Sequence, residues 1–160
     1  MATLRRMIAA DLSAVLAIQQ ASPGSAQWSA AQWQAFLSPE QDTSNKQLRA
    51  GSYAWTARTE GVLAGFLAAL FSGQEMEILN VAVVPSARRR GTAARLLERA
   101  LAAARTSGAE RAWLEVRASN SGAIAFYERS GFVETGRRQN YYSEPAEDAV
   151  LLSRPLSTDQ

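Results

Sequence analysis

The chain has 160 residues, 47% of them hydrophobic and 20% charged, with a net charge of +2. Those values describe one globular domain over residues 1–160, with enough apolar residues for a core. No apolar run reaches the roughly 18–20 residues that cross a bilayer, and residues 1–11 lack a continuous apolar stretch, so a signal peptide and a membrane partner are not expected and a cytoplasmic location is. There is no Cys and no His. That excludes disulfides, thiolate nucleophiles, Cys- or His-based metal sites and the serine–histidine triad, and no metal is expected. Lys46 is the only lysine and sits in a polar stretch, so Schiff-base chemistry is not expected either. An acid and a base, if the chain is an enzyme, must come from Asp, Glu, Tyr or water.

In chain order, residues 4–8 predict a short strand. A helix follows from Asp11, its candidate N-cap, with Leu12, Val15, Leu16 and Ile18 at helical spacing. The stretch 22–25, Ser-Pro-Gly-Ser, ends it. A second helix starts at Ser29 and carries Trp33, Phe36 and Leu37, and residues 38–51 read as loop. Trp28, Trp33 and Phe36 read as core. Strands are predicted over 53–57, 62–71 and 77–84, with hairpin turns at Glu60-Gly61 and Ser72-Gly73. An amphipathic helix over 91–106 places Leu96, Leu97, Ala100, Leu101 and Ala104 on one face, and Gly108 stops it. A strand over 112–117, a helix over 120–130 ended by Gly131, and closing strands over 132–138 and 149–154 complete the chain. The order β-α-α-β-β-β-α-β-α-β-β predicts a mixed α/β fold, a central, mostly antiparallel sheet of about seven strands flanked by about four helices.

The segment most loaded with chemistry is Arg88-Arg89-Arg90-Gly91-Thr92-Ala93-Ala94, between a strand and a helix. Small residues let backbone N–H groups approach a phosphate, the helix N-terminus adds partial positive charge, and arginines complete an anion site. A solvated basic turn is the competing reading. The ending of a P-loop and the three glycines of a dinucleotide-binding loop are both missing.

Arg88-x-x-Gly91-x-Ala93 resembles the signature (Gln or Arg)-x-x-Gly-x-(Gly or Ala) of the GNAT acetyltransferase superfamily, and residues 79–85 resemble the strand before it. Residues 113–120 (Trp-Leu-Glu-Val-Arg-Ala-Ser-Asn), 123–128 (Ala-Ile-Ala-Phe-Tyr-Glu), Gly131-Phe132, Asn140-Tyr141-Tyr142 and Glu147-Asp148-Ala149 closely resemble the ribosomal-protein-alanine N-acetyltransferase (RimI) family over about residues 75–156. The resemblance implies the GNAT fold and acetyl-CoA as cosubstrate. It implies backbone contacts from Val81, Ala82 and Val83 to the acetyl and pantetheine portion, and a pyrophosphate grip from residues 88–94. It further implies Asn120 on the pantetheine arm, Glu115 as general base and Tyr127 as general acid. Its acceptor would be the N-terminal α-amine of an alanine-starting ribosomal protein, with the enzyme a monomer or weak dimer. A lysine side chain or small amine is the alternative acceptor, and a non-catalytic acyl-CoA-binding module the alternative class. Nucleic acid is not expected as a partner, because acidic residues are interspersed throughout.

The same residues have plainer readings. Glu115 is spaced to pair with Arg117 on one strand face. Asn120 is placed to cap its helix, and the Tyr127 ring to fill the core. Tyr141-Tyr142 is either a closing-strand pair or a lid over the acceptor.

Overall fold

The structure, a computed structural model, describes residues 2–37, 47–88 and 90–156. Lys46, Arg89 and most of the loop predicted over 38–51 lie outside the described residues. The elements are β1 (Thr3–Arg6), α1 (Leu12–Gln20), α2 (Ala30–Phe36), β2 (Gly51–Thr59), β3 (Val62–Phe71), β4 (Glu75–Val83), α3 (Thr92–Thr106), β5 (Arg111–Arg117), α4 (Ser121–Arg129), β6 (Val133–Tyr142) and β7 (Glu147–Pro155). Their succession is the expected one. The boundary that moved most is the end of β6, which runs on from residue 138 to Tyr142 and, with β7 starting at Glu147, forms a longer hairpin.

One seven-stranded sheet has the order β1-β2-β3-β4-β5-β7-β6. Every neighbouring pair is antiparallel except β4–β5. The hairpin between β2 and β3 turns at Glu60 and Gly61, both left-handed with φ of 52° and 79°, which matches the strand twist. On one face α3 buries Leu96, Leu97, Ala100, Leu101 and Ala104 against β2–β5, the stripe its spacing predicts. On the other face α1 and α2 pack Val15, Ile18 and Trp33 on Ala54, Phe66, Ala68 and Ala82. Ser29 caps α2 with Gln32 in a reciprocal capping box. Trp33 is fully buried, as expected of a core residue, and donates its indole N–H to Gln19, 3.0 Å away, while Trp28 and Phe36 are partly buried and pack their rings against it at the edge of the core.

Asp11 departs from its expected role. It precedes α1, but its carboxylate makes no capping bond to that helix. It accepts from the Ile8 N–H at 2.9 Å and pairs with Arg5 at 2.8 Å and with Arg58. Two guanidinium groups offer a carboxylate charge-assisted bonds roughly twice as strong as those to neutral amides. Desolvation raises its pKa, but the Ile8 N–H and the two arginines outweigh it and hold the carboxyl below 3.8. Asp11→Asn should therefore destabilise the fold by about 2–3 kcal/mol near pH 7, the lower end for a broken buried pair because both arginines are partly exposed. Because the folded pKa is depressed, this stabilisation is present above pH 3.8 and lost as pH falls through the folded value. Urea unfolding of both proteins at pH 7 and pH 3 checks it, and the gap between them should narrow at the lower pH.

Two features of β4 open the sheet at its centre. Ala68 pairs with Asn80 and Ala69 with Ile78, so Leu79 is an unmatched bulge residue. On its other edge β4 pairs with β5 only from Glu75 to Glu77, opposite Arg111 to Trp113. Beyond that point the two strands no longer bond, and the backbone edge of β4 faces a gap.

Candidate active site

That gap is a cleft of about 630 Å³. Its walls are residues 78–81 of β4, residues 114–117 of β5, the α1–α2 loop at 23–27, and Ser119, Asn120, Ala123 and Tyr127 at and within α4, with Tyr142 at one side. A parallel pair that splays apart is a ready site for an extended ligand, because β4 can offer it backbone N–H and C=O groups that no strand has taken.

At one end lies the loop before α3. Gly91 is left-handed (φ 76°), and α3 begins at Thr92 with no acidic side chain in its first turn. Its first amides have no intrahelical acceptor, so they and the positive end of the helix suit a phosphate group. A Cβ on Gly91 would meet nothing within 4 Å, so glycine serves the backbone conformation here rather than packing space. Arg88 and Arg90 are exposed at the loop, and the Arg88 Nε reaches the Val83 carbonyl at 3.4 Å. Arg89 is outside the described residues, Ala94 is exposed, Ala93 is half-buried and Thr92 is buried. Of the three β4 residues expected at the acetyl and pantetheine portion, Val81 lines the cleft, whereas Ala82 and Val83 bury their side chains in the two cores. Their backbone remains the only part that could serve a ligand.

Asn120 caps α4, its Oδ1 accepting from the Ala123 N–H at 3.2 Å, and it also faces the cleft. The cap uses the oxygen and leaves the amide NH2 able to donate. Tyr127 is buried on α4, its ring edge-on to Phe126 and Phe132 at 5.0 and 5.5 Å. It lines the cleft, and its hydroxyl bonds to none of the described residues. Burial pushes the phenol pKa well up, so the proton stays on at any physiological pH. Core packing and a cleft-facing hydroxyl thus coexist in one side chain.

Glu115 lies on β5 with 12% of its side chain exposed. It does not pair with Arg117, the partner its spacing suggested. Arg117 is held by Glu147 at 3.1 Å, by the Pro145 and Ser143 carbonyls, and over the Tyr142 ring. Residues i and i+2 share a strand face but lie nearly 7 Å apart along it, and Glu147 and the turn carbonyls take up the Arg117 guanidinium instead. The Glu115 partner is Arg138 of β6, with Nε 3.0 Å from Oε1. The Tyr141 phenol also stands beside Glu115, and interaction with that carboxylate raises its pKa. Glu77 of β4 is the second carboxylate here, its pKa raised by desolvation and by the Glu115 charge. Tyr142 is half-buried and lines the cleft, whereas Tyr141 is 53% exposed. Glu77 and Arg138 escaped the sequence reading. The alternation of Glu75, Glu77 and Leu79 on one face of β4 could have flagged the first, but nothing local marks Arg138.

The described residues contain no group of three or more Asp or Glu placed to hold a metal ion, and no helix among them is long and apolar enough to cross a membrane.

An open sheet split at a parallel junction, an anion-binding helix start and a carboxylate and phenol on the cleft walls define an acyl-transfer architecture. The profile of the Acetyltransferase (GNAT) family matches residues 21–132, and the chain belongs to that family. Its relatives include the ribosomal protein bS18-alanine N-acetyltransferase of Salmonella typhimurium, 45% identical over 85 residues that span 52% of this chain and 57% of that protein. The protein of the same name from Escherichia coli is 39% identical over 61% of this chain and 67% of its own length. Among solved structures, the ribosomal-protein-S18-alanine N-acetyltransferase from Escherichia coli superposes with a TM-score of 0.81 at 29% identity, covering 100% of this chain and 97% of that one. Ard1 from Thermoplasma volcanium superposes with a TM-score of 0.79 at 28% identity, over 96% and 97% of the two chains.

Proposed function

We propose that the protein transfers the acetyl group of acetyl-CoA to the N-terminal α-amine of a protein beginning with alanine, a ribosomal protein as for the relatives above. The observation that carries this reading is the placement of Glu115 and Tyr127 on the walls of one cleft, next to the unpaired edge of β4. The residues present suit the cosubstrate. The acid-free start of α3 behind Gly91, with Arg88 and Arg90 exposed beside it, matches a pyrophosphate, and the free edge of β4 matches an amide-bearing arm. Acetyl-CoA supplies the activated thioester.

In this reading Glu115 removes a proton from the amine, directly or through water. An α-ammonium with a pKa near 8 is mostly protonated at pH 7, so a base is needed to free its lone pair. Backbone N–H groups at the β4 bulge stabilise the charge that builds on the carbonyl oxygen. Tyr127, protonated at physiological pH, gives its proton to the departing thiolate as the C–S bond breaks and regains one from the newly acylated nitrogen. Asn120 donates from its amide NH2 to the cosubstrate arm. A binding module that only held acyl-CoA would need neither a cleft-facing carboxylate nor a cleft-facing phenol. We further expect the enzyme to be cytoplasmic and a monomer or weak dimer.

The test is release of coenzyme A thiol with peptides that start with Ala, Ser, Met or Gly, alongside N-terminally blocked peptides that carry lysine. The expected result is turnover on free alanine-starting peptides. Turnover on blocked lysine peptides alone would sink the α-amine assignment while keeping amine acetylation.

A further inference from the structure

The ion-pair partner of the Glu115 carboxylate comes from β6, the edge strand, which is separated from β5 by β7. Here the register of β6 against β7 breaks between Arg138 and Tyr142. Within that break Asn140 is left-handed, with φ of 49°, and its N–H donates to the Asp148 carboxylate at 3.0 Å. Such an irregularity re-aims the side chains that flank it. Here Arg138 reaches Glu115 with Nε at 3.0 Å, and its guanidinium lies 5.7 Å from the Tyr141 ring centre, with the Tyr141 phenol beside the same carboxylate.

Glu115 needs such restraint. Its side chain has three rotatable bonds, and the Glu77 carboxylate close by repels it. Arg138 lies close enough for its charge to act on both carboxylates. The other arginine at this end, Arg117, is committed to Glu147 and to the carbonyls of the β6–β7 turn, so it cannot do the same work.

We propose that Arg138 and Tyr141 are positioning residues that clamp the Glu115 carboxylate towards the cleft, so that the irregular stretch of β6 at residues 139–141 sets the geometry of proton removal. The inference rests on the reading of Glu115 as the base. It gives Tyr141 a task other than covering the acceptor, and it gives Arg138 a place in the reaction without contact with the substrate.

The experiment measures steady-state kinetics on the amine that the wild type acetylates best, for Arg138→Gln and Tyr141→Phe, alone and combined with Glu115→Gln. Both side chains are about half exposed, so the fold should survive, and a melting curve verifies it. Each single change should lower kcat about tenfold, since small misplacements of a catalytic group are costly. KM for acetyl-CoA and for the amine should stay within about twofold, and in the Glu115→Gln background neither change should cost anything more. A merely structural loss would persist in that background and overturn the clamp. A raised KM for the amine with kcat intact would also overturn it, since it would place these residues on the acceptor. Unchanged kinetics in both single variants, with Glu115→Gln impaired, would reject the clamp alone. Full activity in Glu115→Gln would reject the base itself, and the clamp with it.

Discussion

Glu115→Gln is expected to lower kcat about a hundred- to a thousandfold while acetyl-CoA binds as before, in line with the usual contribution of a general base. Glutamine keeps the size of the side chain and an oxygen for Arg138, so the change removes proton acceptance with little disturbance of packing. Tyr127→Phe should cost a comparable factor by a different route. Its ring contacts with Phe126 and Phe132 survive, and the hydroxyl has no partner among the described residues to lose. Removing that hydroxyl should leave melting temperature nearly unchanged and deprive the departing thiolate of its proton donor. The pairing of intact stability with lost turnover separates a catalytic phenol from a core one. Steady-state kinetics with calorimetric acetyl-CoA binding settle both variants, and near-normal turnover in both would refute the assigned roles.

The second large effect is expected at Gly91. Gly91→Glu should weaken acetyl-CoA binding at least a hundredfold, read by calorimetry. Two costs combine. A residue with a Cβ pays about 1–2 kcal/mol to hold the left-handed conformation that Gly91 has at φ 76°. The new carboxylate then stands at the start of α3, where the reading places a pyrophosphate, and replaces attraction by repulsion. Gly91→Ala separates the two, since an added Cβ meets nothing within 4 Å and brings no charge. It should weaken binding by no more than about thirtyfold, the conformational cost alone. Equal losses in the two variants would mean that charge at this loop is irrelevant and that no phosphate binds there.

The order of elements, the apolar stripe of α3, the Glu60-Gly61 turn and the glycine before α3 were all legible in the chain itself, because each follows from side-chain period or backbone preference over a few residues. Glu115, Tyr127 and Asn120 were picked out by resemblance, and the plainer roles of Tyr127 as core and Asn120 as cap were legible from spacing. What local pattern could not supply was partner choice. Asp11 looked like a helix cap until Arg58, 47 residues away, was brought beside it. Glu115 looked paired with Arg117 until the folded sheet let Arg138 of β6 reach it across β7. The cleft itself depends on a bulge at Leu79 and on the early end of the β4–β5 pairing, and neither leaves a mark in the sequence of either strand alone. Periodicity and propensity act between residues a few positions apart and so can be read along the chain. Ion pairs, pairing limits and the aim of an edge-strand side chain are set by which strands become neighbours, and only the folded sheet decides that.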